Sequence, residues 1–141
     1  MADSYLVTGG CGFIGSNFVR LMHGAGAKVR VLDKLTYAGN PKNIADLSGR
    51  TELMRGDIAE PKDVDAAIAA VKPRYIVNFA AETHVDRSIA GAADFVRTNL
   101  AGTHVMLASA LAYWTELTAE ERTHFRFLHV STDEVFGSLA P

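Results

Sequence analysis

The sequence lacks the features that mark several large classes of protein. Its 141 residues include one cysteine, Cys11, so no internal disulfide can form, and no Cys/His cluster has zinc spacing. No apolar run approaches the roughly 18 residues of a membrane span, and the N-terminus carries Asp3 where a secretory signal would be basic. Fourteen Lys and Arg against sixteen Asp and Glu give a formal net charge of −2 without long like-charge runs. We therefore expect a cytoplasmic protein with no metal, no membrane association and no nucleic-acid partner.

The remaining composition, 48% hydrophobic and 21% charged, is typical of one globular domain. Short β-branched runs alternate with longer stretches of helical apolar spacing, which indicates βαβ units around a parallel sheet. The predicted strands cover residues 5–8, 29–32, 53–54, 75–79 and 125–131. The fourth of these is a continuous apolar run, as expected of a strand buried on both faces.

Helices are predicted between these strands from apolar spacing and capping signals. One follows the first strand and ends near Gly24, a short one runs from Asn40-Pro41 through Leu47, and one opens at Pro61. A long helix is predicted over about 94–114, and residues 118–121 have capping-box spacing. The fold class predicted is α/β, a doubly wound parallel sheet that is truncated after the fifth strand.

A glycine-dense segment, TGGCGFIG at residues 8–15, joins the first strand to the first helix. Gly10, Gly12 and Gly15 have G-x-G-x-x-G spacing, and counting from Gly9 gives G-x-x-G-x-x-G. Glycine allows the sharp turn, the close approach of backbone N–H groups to a pyrophosphate, and close packing of the helix on the strand. The pattern predicts a Rossmann-type dinucleotide site, but such a turn can also be purely structural.

Asp33 strengthens the dinucleotide interpretation because it lies at the end of the second predicted strand, 18 residues after Gly15. A carboxylate there can accept hydrogen bonds from both ribose hydroxyls of an adenosine, and it would repel a 2′-phosphate. We therefore predict NAD in preference to NADP, although the neighbouring Lys34 could soften that repulsion. The alternative is that Asp33 caps a turn.

Other residues near the strand ends have two interpretations each. Asp57-Ile58 and Phe79-Ala80-Ala81 are candidates for the adenine side and the nicotinamide side, or else a turn aspartate and a packing site. Cys11 is interpreted as the small residue that the loop requires. A thiol at a helix N-terminus can instead have a lowered pKa, in which case alkylation would interfere with cofactor binding.

Six segments identify a family resemblance: TGGCGFIGSNFV, DKLTYAGN, GDI, NFAAETHVDRSI, TNLAGT and FLHVSTDEVFG. They follow one another as in the extended short-chain dehydrogenase/reductases, and the chain most resembles the N-terminal part of the nucleotide-sugar 4,6-dehydratases among them. The resemblance runs from Tyr5 to about Gly137. It implies a Rossmann-type domain, NAD as cofactor and a nucleotide-sugar substrate, with dTDP-glucose expected. The implied reaction oxidises carbon 4 of the hexose, removes water across carbons 5 and 6, and returns the hydride to carbon 6.

The resemblance also implies the roles of individual residues. Thr132 resembles a hydroxyl that contacts the sugar and polarises its carbon-4 oxygen, Asp133 the general acid, and Glu134 the general base. Thr83 resembles a second substrate contact. The alternative for Asp133 and Glu134 is an acidic helix cap after the last strand. Together with the loop glycines, the implied NAD contacts are Gly9, Gly12, Phe13, Ile14, Gly15, Asp33, Lys34, Leu35, Thr36, Asp57, Ile58, Phe79, Ala80, Ala81, Glu82 and Thr98.

One motif of the family has no counterpart in these 141 residues. The family's hydride step uses a Tyr-x-x-x-Lys helix beyond the fifth strand, and none of the four tyrosines has lysine four positions later. We therefore expect a fragment of a longer protein, or a chain whose remainder lies elsewhere, that is catalytically inactive alone. Its fifth strand would form an exposed edge. For an intact enzyme the resemblance implies a homodimer formed through the long helix.

Two alternative functions stay open at this point. One is a related nucleotide-sugar epimerase or a GDP-mannose-type dehydratase. The adjacent carboxylates of Asp133 and Glu134 argue against an epimerase, which needs no acid for elimination. The other alternative is a non-catalytic dinucleotide-binding module, which is compatible with a complete cofactor loop and no hydride-transfer pair.

Overall fold

Five strands form one parallel sheet in the computed structural model, which describes residues 3–83, 91–132, 135 and 137. The strands are β1 (Ser4–Thr8), β2 (Lys28–Asp33), β3 (Thr51–Arg55), β4 (Tyr75–Asn78) and β5 (Arg126–His129). Their spatial order is β3-β2-β1-β4-β5, and every neighbouring pair is parallel. The predicted α/β fold with a Rossmann-type parallel sheet is thus confirmed. Because the chain leaves β1 toward β2 on one side and β4 lies on the other, the sheet has a topological switch point beside β1.

The helices cover both faces of this sheet. They are α1 (Phe13–Gly24), α2 (Pro61–Val71), α3 (Ala92–Phe95), α4 (Thr103–Glu116) and α5 (Ala119–His124), with a 3₁₀ turn at Pro41–Ile44 and a π-helical segment at Val96–Gly102. Successive strand residues point to opposite faces, so each strand contributes to two hydrophobic cores. In β1, Leu6 packs in the core with α2 and α4, and Val7 packs in the core with α1. Both side chains are fully buried, as a sheet covered on both faces requires.

Local signals account for where several helices begin and end. Pro61 opens α2, because proline fixes a helical φ and its missing N–H is not needed there. The Asn40 side chain accepts a hydrogen bond from the Lys42 N–H and so caps the turn at Pro41. The predicted capping box is confirmed at α5, where the Thr118 hydroxyl accepts from the Glu121 N–H while the Glu121 carboxylate accepts from the Thr118 N–H.

Two helix predictions differ from the structure. The helix expected through Leu47 is only the 3₁₀ turn Pro41–Ile44, whose one buried residue, Ile44, provides little apolar surface for a longer helix. The long helix predicted over 94–114 is interrupted by the π-helical segment Val96–Gly102. Apolar spacing predicts that a stretch is helical, but it does not distinguish the wider π-helical turn from the α-helical one.

The described sheet ends at β5, which is an edge strand as predicted. Leu128 is 53% exposed and Val130, just beyond the strand, is 39% exposed. No helix in the described part of the chain has the length and apolarity to cross a membrane. Among the described residues, no group of three or more His, Cys, Asp or Glu side chains is arranged to hold a metal ion.

Candidate functional site

A cleft open to solvent lies where β1, β2, β3 and β4 end. The parallel register aligns the last residues of these strands, with Thr8 of β1 opposite Leu32 of β2 and Asn78 of β4. The cleft therefore lies outside the carboxyl ends of the strands and beside the switch point, where open α/β sheets bind ligands.

Twelve of the predicted cofactor contacts line this cleft: Gly9, Gly12, Asp33, Lys34, Thr36, Asp57, Ile58, Phe79, Ala80, Ala81, Glu82 and Thr98. Four further lining residues were not predicted, namely Leu32, Ala38, Gly39 and Gly56. Three of these four lie within the segments DKLTYAGN and GDI, so the segments carried a signal that the individual residue assignments missed.

The other four predicted contacts do not line the cleft with their side chains. Phe13 and Ile14 begin α1 with side chains that are 84% and 64% exposed. Gly15 is buried, and a Cβ built there would lie 2.2 Å from the Gly9 carbonyl oxygen, so the fold itself requires glycine. Leu35 has a left-handed φ of 58° and packs against the core beneath α1.

The amino end of α1 faces the glycine loop without a side-chain cap. The Gly12 N–H donates to the Gly9 carbonyl at 3.1 Å, and the first helical bond runs from the Ser16 N–H to the Gly12 carbonyl at 3.0 Å. The N–H groups of Phe13 and Ile14 have no acceptor among the hydrogen bonds of the described residues. Free N–H groups and the helix dipole both favour an anion at this position.

The fold restricts side chains at the loop residues Gly9 and Gly12 to different degrees. Gly9 has a φ of +66°, and a Cβ there would lie 2.7 Å from the Ala80 nitrogen, so the fold excludes a side chain. A Cβ on Gly12 would meet only the Gly9 oxygen at 3.3 Å and the Ala38 oxygen at 3.9 Å. The fold alone thus nearly accommodates a methyl group at Gly12, which would project into space at the cleft wall.

Asp33 is buried at the end of β2, with 8% of its surface exposed. Its Oδ2 accepts from the Cys11 N–H at 2.9 Å, and its Oδ1 accepts from the Leu35 N–H at 2.8 Å. The carboxylate therefore ties the glycine loop to the turn after β2, which is the capping role considered as the alternative. Because each carboxylate oxygen can accept a second hydrogen bond, this role leaves acceptor capacity at the cleft wall.

A network of charges joins three walls of the cleft at Asp57. Its Oδ2 lies 2.9 Å from the Lys34 Nζ and 3.2 Å from an Arg97 guanidinium nitrogen, and Arg97 also reaches Glu60 at 2.6 Å. Burial would raise the pKa of Asp57, but the Ala59 N–H, Lys34 and Arg97 together lower it below its ordinary value. The Asp57 carboxylate is thus fixed by hydrogen bonds and ion pairs, and the Lys34 ammonium forms one of these ion pairs.

The segment after β4 is held in place by the π-helical segment. Asn99 accepts from the Glu82 N–H through its Oδ1 at 2.9 Å and donates from its Nδ2 to the Glu82 carbonyl at 2.9 Å. The Tyr37 hydroxyl donates to a Glu82 carboxylate oxygen at 3.2 Å. Asn99 was not predicted from the sequence, although it lies in the segment TNLAGT and follows Thr98 directly.

Cys11 is fully buried in the core beneath α1. Burial, and secondarily the Asp33 carboxylate, raises the pKa of its thiol to about 12. The alternative that the helix N-terminus lowers this pKa is therefore wrong, because desolvation outweighs the helix dipole. The structure supports the interpretation of Cys11 as a small packing residue.

The predicted catalytic and substrate residues are only partly within the described chain. Thr83 follows the Phe79–Glu82 wall and is exposed, and Thr132 is exposed three residues beyond the end of β5. The Thr132 carbonyl accepts from the Val135 N–H at 3.4 Å. Asp133 and Glu134 lie outside the described residues.

The parallel sheet and the cleft at its switch point define an α/β domain of the Rossmann type. Residues 6–141 match the profile of the GDP-mannose 4,6 dehydratase family. The chain belongs to this family.

Individual relatives within this group are dTDP-glucose 4,6-dehydratases. The chain is 48% identical over 136 residues to a probable dTDP-glucose 4,6-dehydratase of Sinorhizobium fredii, covering 95% of this chain and 39% of that protein. The crystal structure of the dTDP-glucose 4,6-dehydratase of Streptomyces venezuelae, solved with NAD bound, superposes with a TM-score of 0.82 at 44% identity, covering 98% of this chain and 42% of that one. The chain thus corresponds to the N-terminal part of these enzymes and spans about two-fifths of their length.

The same fold occurs in enzymes with another reaction. The UDP-glucose 4-epimerase of Thermotoga maritima superposes with a TM-score of 0.71 at 30% identity, covering 78% of this chain and 34% of that one. Fold similarity alone therefore does not distinguish a dehydratase from an epimerase.

Proposed function

We propose that this chain is the NAD-binding part of a cytoplasmic nucleotide-sugar 4,6-dehydratase that converts dTDP-glucose to dTDP-4-keto-6-deoxyglucose. The observation that carries the proposal is the cleft at the switch point, where the uncapped end of α1, Gly12 and Asp33 meet. Residues 1–141 would constitute the incomplete Rossmann domain of the enzyme. The 48% identity to a probable dTDP-glucose 4,6-dehydratase supports the choice of substrate.

The residues of the cleft fit a dinucleotide. The N–H groups of Phe13 and Ile14 would bind the diphosphate through the main chain, which accounts for their exposed side chains. Asp33 would accept from the adenosine ribose, and its negative charge favours NAD over NADP. Lys34 is paired with Asp57 at 2.9 Å, which leaves it less able to offset the repulsion of a 2′-phosphate.

NAD would supply a hydride acceptor that is regenerated at the end of each cycle. Beside it, Thr132 would donate a hydrogen bond to the carbon-4 oxygen of the sugar. Glu134 would remove the proton from carbon 5, and Asp133 would protonate the hydroxyl that leaves carbon 6. The support for these three roles is the match of Ser131-Thr132-Asp133-Glu134-Val135 to the motif of the family.

The proposal includes a homodimer of the whole enzyme. Large apolar side chains form a stripe along the outer side of the π-helical segment and α4, with Leu100, Leu107 and Leu111 exposed by 67%, 49% and 61%. Leu107 and Leu111 lie four residues apart in α4 and therefore on one side of that helix, where a second copy could cover them together with the exposed Leu100.

The test joins this chain to the remaining C-terminal part of the Streptomyces venezuelae enzyme and measures the 4-keto-6-deoxy product formed from dTDP-glucose. The 141-residue chain assayed alone should give no product, because it has no Tyr-x-x-x-Lys pair. The chimera should give product, and Asp133→Asn and Glu134→Gln should each abolish it. As a matched control, Glu120→Gln removes a carboxylate from the exposed helix α5 and should leave turnover unchanged.

Three results would contradict the proposal in different ways. Turnover by the 141-residue chain alone would refute the expected inactivity. Conversion to a carbon-4 epimer without loss of water would favour the epimerase alternative. A chimera that folds and binds NAD but gives no product because of residues 1–141 would favour a non-catalytic binding module.

A further inference from the structure

A chain of polar side chains crosses three neighbouring strands on the sheet face that carries α2 and α4. The Thr8 hydroxyl on β1 is hydrogen-bonded to Asn78 Oδ1 on β4, and Asn78 Nδ2 lies 3.0 Å from His129 Nδ1 on β5. Thr8 and Asn78 are fully buried, whereas His129 lies at the exposed end of β5. This row of hydrogen-bonded side chains also reaches the cleft, because the Ala80 N–H donates to the Thr8 oxygen at 3.4 Å.

Only one assignment of donors and acceptors satisfies Thr8, Asn78 and His129 together. The Thr8 oxygen accepts from the Ala80 N–H, so its own hydrogen is directed to Asn78 Oδ1. The Asn78 amide nitrogen is then left to donate to His129, and His129 Nδ1 must be the acceptor. In the opposite direction the Thr8 oxygen would accept twice, and its hydrogen would have no acceptor among the described residues.

We propose that Asn78 holds His129 in the tautomer with hydrogen on Nε2, and that His129 is a positioning residue that fixes the end of β5 relative to the cofactor cleft. One end of the polar chain is Ala80 in the cleft wall, and the other end lies three residues before Thr132. The main-chain bond from the Val130 N–H to the Asn78 carbonyl at 3.1 Å sets the same register. The link to Thr132, Asp133 and Glu134 rests on the proposed function, whereas the tautomer and the anchoring do not.

The first experiment reads the tautomer directly in the 141-residue chain by ¹H–¹⁵N NMR of the histidine side chains. In a neutral imidazole the two ring nitrogens differ in chemical shift according to which one carries the hydrogen, so their shifts report the tautomer. We expect His129 Nδ1 to resonate as an unprotonated nitrogen and Nε2 as a protonated one. His124 on the exposed helix α5 serves as the comparison and should show exchange between tautomers.

Asn78→Asp is the matched variant, because it keeps the shape of the side chain and replaces the amide donor with an acceptor. The variant should reverse the assignment by placing hydrogen on His129 Nδ1. A protonated Nδ1 in the unaltered chain, or a ring that exchanges like His124, would overturn the proposal. The unaltered chain decides this point even if Asn78→Asp does not fold.

The second experiment compares His129→Leu with His129→Gln by amide hydrogen exchange. Glutamine has a carbonyl oxygen that can accept from Asn78, whereas leucine leaves a buried donor without a partner. We expect exchange at Ala80 and Val130 to be roughly tenfold faster in the leucine variant and close to unaltered in the glutamine variant. Equal exchange in the two variants would contradict an anchoring role.

His124→Gln controls for the loss of a histidine elsewhere and should leave the exchange rates unchanged. NAD affinity measured on the same samples separates the two proposals. Loss of the tautomer with intact NAD binding would refute only this inference. A fixed tautomer in a chain that does not bind NAD would support this inference and refute the proposed function.

Discussion

Gly12→Ala provides a sharp test of the cleft, because the fold and the proposed ligand make different demands on this residue. Gly12 is the N-cap of α1 with φ −75° and ψ 176°, a conformation open to alanine. The nearest atoms to a built Cβ are the Gly9 oxygen at 3.3 Å and the Ala38 oxygen at 3.9 Å. The methyl group therefore needs a shift of only a few tenths of an ångström, but it enters the space in which a diphosphate would approach α1.

The expected magnitudes follow from this geometry. Alanine is a poorer N-cap than glycine by about 0.5–1 kcal/mol. Alanine also lowers the conformational entropy of the unfolded chain relative to glycine, which stabilises the folded state by about 0.4–1 kcal/mol. The two effects oppose each other, so the free energy of unfolding should change by less than about 1 kcal/mol. Displacing the diphosphate from one α1 N–H group removes a hydrogen bond to a charged group, worth about 1.5–3 kcal/mol. The Kd for NAD should accordingly rise roughly 10- to 150-fold.

The assay is isothermal titration with NAD, together with urea unfolding of the same samples. Gly24→Ala is the matched control, since Gly24 lies in the same helix and a Cβ there meets nothing within 4 Å. The control should bind NAD as the unaltered chain does. A folded Gly12→Ala variant that binds NAD with unchanged affinity would refute the placement of the diphosphate, and a variant that fails to fold would refute the geometric reasoning.

Four further predictions concern the core and the helix ends. Native Cys11 should resist iodoacetamide at about pH 8 and react only after unfolding, and alkylation at the rate of a free thiol would contradict its raised pKa. Because the pKa of Cys11 is about 12 against an ordinary 9.0, its contribution to stability should be complete below pH 9 and lost as the pH rises toward 12, as urea unfolding would show. Gly102→Ala places a Cβ 2.8 Å from the Ile58 side chain, so it should destabilise the chain by about 1–3 kcal/mol, with partial recovery in the double variant with Ile58→Val. Thr118→Ala removes the capping box with Glu121 and should cost about 1 kcal/mol in thermal unfolding without altering NAD affinity.

The parts of the fold that were predictable from the sequence are those set by local signals. Apart from Asn78, the run 75–79 is apolar, as suits a strand covered on both faces, and Pro61 begins α2 because proline fixes its own φ. Asp33 could be placed beside the glycine loop because the carboxyl ends of parallel strands share one edge. Local spacing could not reveal the π-helical segment, since seven residues are too few for an apolar pattern to distinguish a π-helical turn from an α-helical one.

The parts of the site that escaped prediction depend on contacts between distant segments. Asn99 holds the Glu82 backbone across 17 residues, and Asn78 meets His129 across 51 residues. No periodicity marks such pairs. The sequence indicated that Cys11 is a small packing residue but left a lowered pKa open as the alternative, and only its burial in the core shows that the pKa is raised.

The central claim is that the cleft beside β1 binds NAD, and NMR titration of the ¹⁵N-labelled 141-residue chain tests it most directly. Adding NAD should shift the backbone amides of Phe13, Ile14 and Ala80 in parallel and leave those of α5 (Ala119–His124) unchanged. NADP should cause the same shifts only at higher concentration, because Asp33 disfavours a 2′-phosphate. Absence of shifts at saturating NAD, or shifts confined to residues outside the cleft, would contradict the account.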